Sequence, residues 1–255
     1  VNVDSGENRR SVRTTGAVRR LLLGGLPPLV ILGLWHFSSG SSVIPSIRDV
    51  GAVLAHPFAP PDLQSRSLGT CAVVSLLRVI LGFSLAAVTA VPLGVGVARS
   101  RTVREIFSPI LEMARPICPV VWLPLFIVIF GNASAGTLLH GREAWRHDLL
   151  DQMSLAMVAV IWWGAFFPIF VNTAHGVGQV KTLFIEVARV CGAGRFGVFR
   201  HVVLPASLPA IVAGLRIGLG TAWMVIVAAE FYPGTRAGLA YLITTADEVG
   251  RHEYV

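Results

Sequence analysis

Residues 71–98 read CAVVSLLRVILGFSLAAVTAVPLGVGVA, and within them only Arg78 is charged. Wound as an α-helix at about 1.5 Å per residue, the stretch is about 42 Å long, more than the ~30 Å hydrocarbon core of a bilayer. Such a helix must tilt or protrude, and Pro92 with Gly94 is expected to kink its far end. The whole chain agrees with this reading. Of its 255 residues 54% are hydrophobic and 14% charged, with mean hydropathy +0.69; soluble domains carry about 25% charged residues. The class is integral membrane, all-α.

Four further apolar runs lie outside this one. LLLGGLPPLVILGLWHF (21–37) follows a polar segment, 1–20, that holds Arg9, Arg10, Arg13, Arg19 and Arg20. A basic head before an apolar stretch also describes a signal peptide, but Pro27-Pro28 and Trp35-His36 are poor cleavage context, so an uncleaved first span is expected. ICPVVWLPLFIVIF (117–130) is short and carries two prolines, and spans only with help from residues before Pro116 or as a broken helix inside a bundle. LAMVAVIWWGAFFPIFV (155–171) and LPAIVAGLRIGLGTAWMVIVAAEF (208–231) complete the set of five. The spans read as a single membrane domain, 21–255, behind the basic segment 1–20.

Charge placement sets the threading. With the N-terminus inside, the inner segments (1–20, 99–116, 172–207) hold thirteen of the 21 Lys and Arg, the outer segments six, and the spans two. This is the positive-inside pattern. It predicts a multi-pass membrane protein with a cytoplasmic N-terminus. It also accounts for the net charge of +7 without nucleic acid, since no basic stripe with stacking aromatics occurs. Cys71, Cys118 and Cys191 lie far apart in or beside apolar stretches and read as small buried hydrophobes rather than ligands.

The inner segment before the last run is different in character. TLFIEVARVC (182–191) predicts a short helix with Phe184, Val187 and Val190–Cys191 on one face at 3/4 spacing and Glu186 and Arg189 elsewhere. Gly192 and Gly194 stop and restart the chain. RFGVFRHVV (195–203) predicts a second short helix with Phe196, Phe199 and Val203 aligned, ended by Pro205. Two interfacial helices resting on lipid headgroups would account for the arginines and phenylalanines, but not for the punctuated turn.

EVARVCGAGRFGVFRHVVLP (186–205) resembles the EAA loop of ABC-importer permeases. Glu186-Val187-Ala188, Gly192, Val202 and Leu204-Pro205 keep its spacing, with valine at 187 and 202 as conservative departures. Wider likeness over about residues 43–250 points to the nitrate/sulfonate/taurine/bicarbonate subfamily, carried by SLLRVILGF (75–83), RPICPVVWLPLFIVIFG (115–131), GAFFPIFVNT (164–173) and LPASLPAIVAGLRIGLGTAWMVIVAAE (204–230). The resemblance implies a type I ABC-importer transmembrane domain that imports a small anionic solute by alternating access. It implies a cytoplasmic ABC ATPase subunit holding ATP and Mg, a second permease copy, most simply an identical one, and an extracytoplasmic solute-binding protein. It assigns Phe184, Glu186, Val187, Ala188, Val190, Gly192, Leu204 and Pro205 to coupling with the ATPase. This chain itself has no GxxxxGK[ST] phosphate loop and a single lysine, Lys181, so it is expected to bind no cofactor and catalyse nothing.

Two departures stand out. Residues 131–152 read as an insertion; His140 and His147 within it invite a metal reading, and a solvated outer loop touching the binding protein is the stronger one. A sixth span is implied by the resemblance and no sixth apolar run occurs, which reads as truncation or as a different topology. Ionised groups inside a membrane are costly and mark function by default, which makes Arg78, Arg216 and Glu230 pathway candidates together with Trp122 and Asn172. The competing reading is packing, with the arginines paired to carbonyls or to an acid. Two other function classes make different demands on a sequence. A membrane enzyme needs converging ligands or a nucleophile–base pair, and a gradient-driven secondary transporter predicts inverted repeats and more intramembrane carboxylates; the sequence has neither pattern.

Overall fold

The computed structural model describes residues 25–37, 45–59, 67–114, 116–131, 133–134, 153–232, 235 and 237–254. The basic segment 1–20, and most of 131–152 with His140 and His147, lie outside them. The chain divides into two compact units, one drawn from 1–59 with 245–255 and one from 60–244.

In the first unit, α1 (Gly25–Phe37) is apolar and has 13 residues; the first four residues of the expected span lie outside the described set. The Trp35 indole N–H donates to the Pro45 carbonyl at 3.1 Å. Helix α2 (Ile47–Ala55) is capped by Ser46, whose hydroxyl accepts from the Asp49 N–H at 3.2 Å. This satisfies one of the orphan donors at a helix start. A short 3₁₀ turn covers His252–Tyr254.

The second unit is built on three helices long and apolar enough to cross a bilayer. They are α3 (Leu68–Arg99), α6 (Leu155–Gly178), and a continuous helix from Arg195 to Glu230 that contains α8 (Arg195–Val198), a π-turn (Phe199–Val203) and α9 (Leu204–Glu230). Between α3 and α6 lie α4 (Arg101–Ala114) and, after a 3₁₀ turn at Pro119–Trp122, α5 (Leu123–Phe130). The apolar run 117–130 is therefore no straight span. With the preceding helix it forms a pair bent by 96°, because Pro116 and Pro119 bar a continuous ladder between them. Helices α7 (Thr182–Val190) and α10 (Leu239–Glu248) complete the set, with the boundary between the units falling inside α10.

Helix α6 lies between α3 and α9, and small residues let the backbones close in. Gly82 of α3 sits against Ile161, and Gly94 against the Phe170 carbonyl and Thr173. On the other side Gly214 and Gly218 of α9 meet Asn172 and Ile169. Gly94 is thus a contact glycine within a helix that stays continuous through Pro92. In lipid there is little hydrophobic drive between helices, so association depends on this close approach. Val79, Ala86 and Ala90 of α3, Ile161, Ala165 and Ile169 of α6, and Ala222 and Ile226 of α9 form the buried centre. A Gly214→Leu variant is expected to lose about 1–3 kcal/mol, because the new side chain meets the Pro168 carbonyl and Ile169 Cα, which cannot rotate away. A lowered melting temperature in detergent would show it; an unchanged one would mean the two helices do not approach this closely.

Two of the three cysteines depart from expectation. Cys71 is fully buried, whereas Cys118 and Cys191 are exposed. Each of the latter follows a helix end or precedes a turn, where no neighbouring helix covers it.

Candidate functional site

The first candidate region is the turn between α7 and α8. Helix α7 ends in a Schellman arrangement: the Ala193 N–H reaches the Ala188 carbonyl at 3.0 Å and the Gly192 N–H reaches the Arg189 carbonyl at 2.9 Å. Gly192 adopts φ +85°, the left-handed conformation this cap requires and glycine supplies without strain. Gly194 follows as an extended N-cap, and its carbonyl accepts from the Val198 N–H at 2.9 Å.

Two faces of α7 separate cleanly. Ile185 and Ala188 turn inward and join Val95 and Ala98 of α3, Val177 of α6, and Val198, Phe199, Val202 and Val203 in one apolar cluster. Phe184, Val187 and Val190 face out, with Val190 89% exposed. Leu183 and Phe196 are exposed with them, two residues that 3/4 spacing from Phe184 does not reach. Glu186 is exposed on the same helix. Ala188 belongs to the anchoring face rather than the free one. The Arg99 guanidinium at the end of α3 lies 5.6 Å above the Phe199 ring, a cation–π contact that ties the turn further to α3.

The exit from this turn differs from the sequence expectation. Pro205 does not end a helix; the chain runs helically from Arg195 through Pro205 to Glu230. The reason is the π-turn at Phe199–Val203, in which the Leu204 N–H bonds back five residues to the Phe199 carbonyl. That wider turn absorbs the ring of a proline placed at the first turn of α9, where a missing N–H is tolerated. It also shifts register: Val198 and Val203, five apart, face the core, while Phe196 is left outside. Leu204 is partly buried and Pro205 exposed at the start of α9.

The second region gathers the ionised residues within spans. Arg78 and Glu230 are each 2% exposed. The Arg78 Nη1 donates to Glu230 Oε1 at 2.9 Å and to the Ala237 carbonyl at 2.8 Å. Ser75 Oγ donates to the same carboxylate oxygen at 2.6 Å and accepts from the Leu239 N–H at 3.0 Å. The Ala240 N–H donates to Glu230 Oε2 at 3.2 Å. One carboxylate thus joins α3, the end of α9 and the first turn of α10. Both charged groups are bonded to each other and to further protein groups, which makes this a packing device in the structure described.

The remaining candidates are scattered. Asn172 lies inside α6, its amide donating to the Pro168 carbonyl at 2.8 Å and its Cβ resting against Gly214. The Trp122 ring lies 4.9 Å from Trp163, within an aromatic row that continues through Trp162, Phe166, Phe167 and Phe170. Trp162 donates to Thr89 Oγ1 at 2.9 Å, while the buried indole N–H groups of Trp122 and Trp163 have no acceptor among the described residues. Arg216 is exposed on α9. No cluster of three or more metal-ligating side chains occurs among the described residues.

Long apolar helices joined through glycine contacts, with a short amphipathic turn anchored at their ends, define a helical membrane domain. Comparison with known proteins makes this specific. The family of binding-protein-dependent transport system inner membrane components matches residues 90–250, and the chain belongs to that family of ABC-importer permeases. It is 38% identical over 234 residues to a putative ABC transporter permease protein of Methanocaldococcus jannaschii, covering 90% of this chain and 79% of that one. It is 32% identical over 240 residues to the bicarbonate transport system permease protein of Synechococcus elongatus, covering 89% and 79%. The taurine transport system permease protein of Escherichia coli is 33% identical over 189 residues, covering 74% of this chain and 61% of the relative.

Proposed function

We propose that this chain is the pore-forming subunit of an ATP-driven importer of a small anionic solute, in which α7 and α8 receive movement from a separate cytoplasmic ATPase subunit. The observation that carries the reading is the two-faced α7: Ile185 and Ala188 hold it to the ends of α3 and α6, while Leu183, Phe184, Val187 and Val190 stand unpartnered. An apolar side chain of this size stabilises an interface by about 1.5–3 kcal/mol when fully buried, so four provide a firm dock even when covered in part. The partner ATPase holds ATP and Mg. Its closure on the nucleotide moves α7, and the helix from Arg195 to Glu230 carries that movement along about 50 Å of unbroken helix. A second copy of the chain closes the pathway, an extracytoplasmic binding protein delivers the solute, and the N-terminus lies in the cytoplasm. The solute class follows the relatives, whose names specify taurine, bicarbonate and nitrate.

The test is co-expression with candidate ATPase subunits, followed by co-purification and uptake of nitrate, bicarbonate and taurine into vesicles with and without ATP. Val187→Asp combined with Val190→Asp is expected to lower co-purification and ATP-dependent uptake at least ten-fold. Both side chains are exposed, so the melting temperature of the isolated chain should barely move. Unchanged coupling in this variant, or uptake without any ATPase, would overturn the proposal.

A further inference from the structure

Arg216 stands apart from the other charged residues of the spans. It is the thirteenth residue of α9, about 18 Å by helical rise from Leu204 and about 21 Å from Glu230. Against the apolar run 208–231 that is about 12 Å in from the inner end, within the ~30 Å hydrocarbon layer. Arg78 and Glu230 are buried and bonded, whereas Arg216 is exposed and makes no ion pair or hydrogen bond among the described residues. It projects opposite the face of α9 that Gly214 and Gly218 press onto α6. Its neighbours one turn to either side are Ala213 and Gly220, which leave room around the guanidinium, and larger apolar residues such as Val212 and Ile217 flank the row.

A guanidinium facing lipid at this depth costs about 2.5–3.5 kcal/mol even on the most lenient scale. The face bearing it is therefore ill suited to acyl chains and well suited to water or an anion. We propose that Arg216 is the mid-membrane binding point for the transported anion, donating its planar N–H fork to a carboxylate-, nitrate- or sulfonate-type oxyanion as that group passes. The choice of an anion rests on the importer reading above. The geometry adds the place: one arginine per chain on the Ala213–Gly220 row of α9, while Arg78 and Glu230 are occupied with each other.

The experiment is charge-selective cysteine labelling of the full chain in open membrane vesicles, which needs neither ATPase nor ATP. Cys118 and Cys191 are replaced by serine and buried Cys71 is kept; the parent must then be unreactive. Ala213→Cys places a thiol one turn from Arg216, and Val88→Cys, on the apolar outer face of α3, serves as the lipid-facing reference. With Arg216 present, the anionic sulfonatoethyl methanethiosulfonate is expected to react faster than its cationic trimethylammonium counterpart. Arg216→Gln should lower that rate ratio at least ten-fold, and Arg216→Lys should retain most of it. Sodium nitrate, bicarbonate or methanesulfonate should slow labelling only when the charge is present. The inference is overturned if Ala213→Cys reacts no faster than Val88→Cys, if Arg216→Gln leaves the ratio unchanged, or if none of the three anions protects. Unselective labelling beside intact ATP-driven uptake defeats this inference alone; selective labelling without ATPase coupling defeats the ATP-driven reading alone.

Discussion

Arg78→Ala is expected to cost about 3–5 kcal/mol of stability, the usual penalty for removing one member of a buried ion pair and leaving the other charge without its partner. Glu230 would keep the Ser75 hydroxyl and the Ala240 N–H but would face its negative charge alone at 2% exposure. The Ala237 carbonyl, which accepts from the same guanidinium nitrogen, would lose that donor as well. Glu230→Ala is expected to do comparable damage from the other side, since three donors lose one acceptor group. The paired replacement Arg78→Met with Glu230→Leu should recover most of the loss, because two apolar side chains of similar volume need no partners. Thermal unfolding in detergent checks this: each single variant should melt well below the parent, and the double well above either single. Single variants that melt with the parent would show that the two charges are not held together.

This network also marks the limit of what the sequence could convey. Arg78 and Glu230 drew attention because each is ionised within an apolar run, yet they are 152 residues apart and no local period links them. Ser75, Ala237 and Ala240 gave no signal, since a serine in a helix and two alanines are ordinary and the two alanines take part through their backbone groups alone. The spans were legible because lipid imposes one simple rule, continuous apolarity, on α3, α6 and α9. The outward face of α7 was legible for a similar reason: Phe184, Val187 and Val190 repeat at the period of a helix that really is α-helical. The next helix departs from its expected period because the π-turn at Phe199–Val203 breaks that period, and nothing in FRHVV announces a five-residue turn. The 96° bend between α4 and α5 was half visible, in prolines that limit a straight span without stating an angle.

Gly238→Ala is the second variant expected to have a large effect, and Gly192→Ala is its natural control. Both glycines have positive φ, +139° and +85°, so both pay the conformational penalty of a Cβ in a region L-residues avoid, about 1 kcal/mol for the left-handed cap at Gly192. Their surroundings differ. A Cβ at Gly192 meets nothing within 4 Å, whereas a Cβ at Gly238 falls onto all three atoms of the Glu230 carboxyl group. A flexible side chain could swing aside, but this one is fixed by Ser75, Arg78 and the Ala240 N–H. Relief therefore requires either breaking that ion pair or lifting the turn that leads into α10, where Ala237, Leu239 and Ala240 are bonded to the same network. The expected loss is about 3 kcal/mol or more, the scale of breaking the pair itself. Gly192→Ala should instead leave the melting temperature within a few degrees of the parent and show its effect on ATPase coupling. Melting both variants in detergent and measuring ATP-dependent uptake separates the two. If Gly238→Ala melts no lower than Gly192→Ala, the turn does not press on the Glu230 carboxylate, and the closure of α9 onto α10 must rest on other contacts.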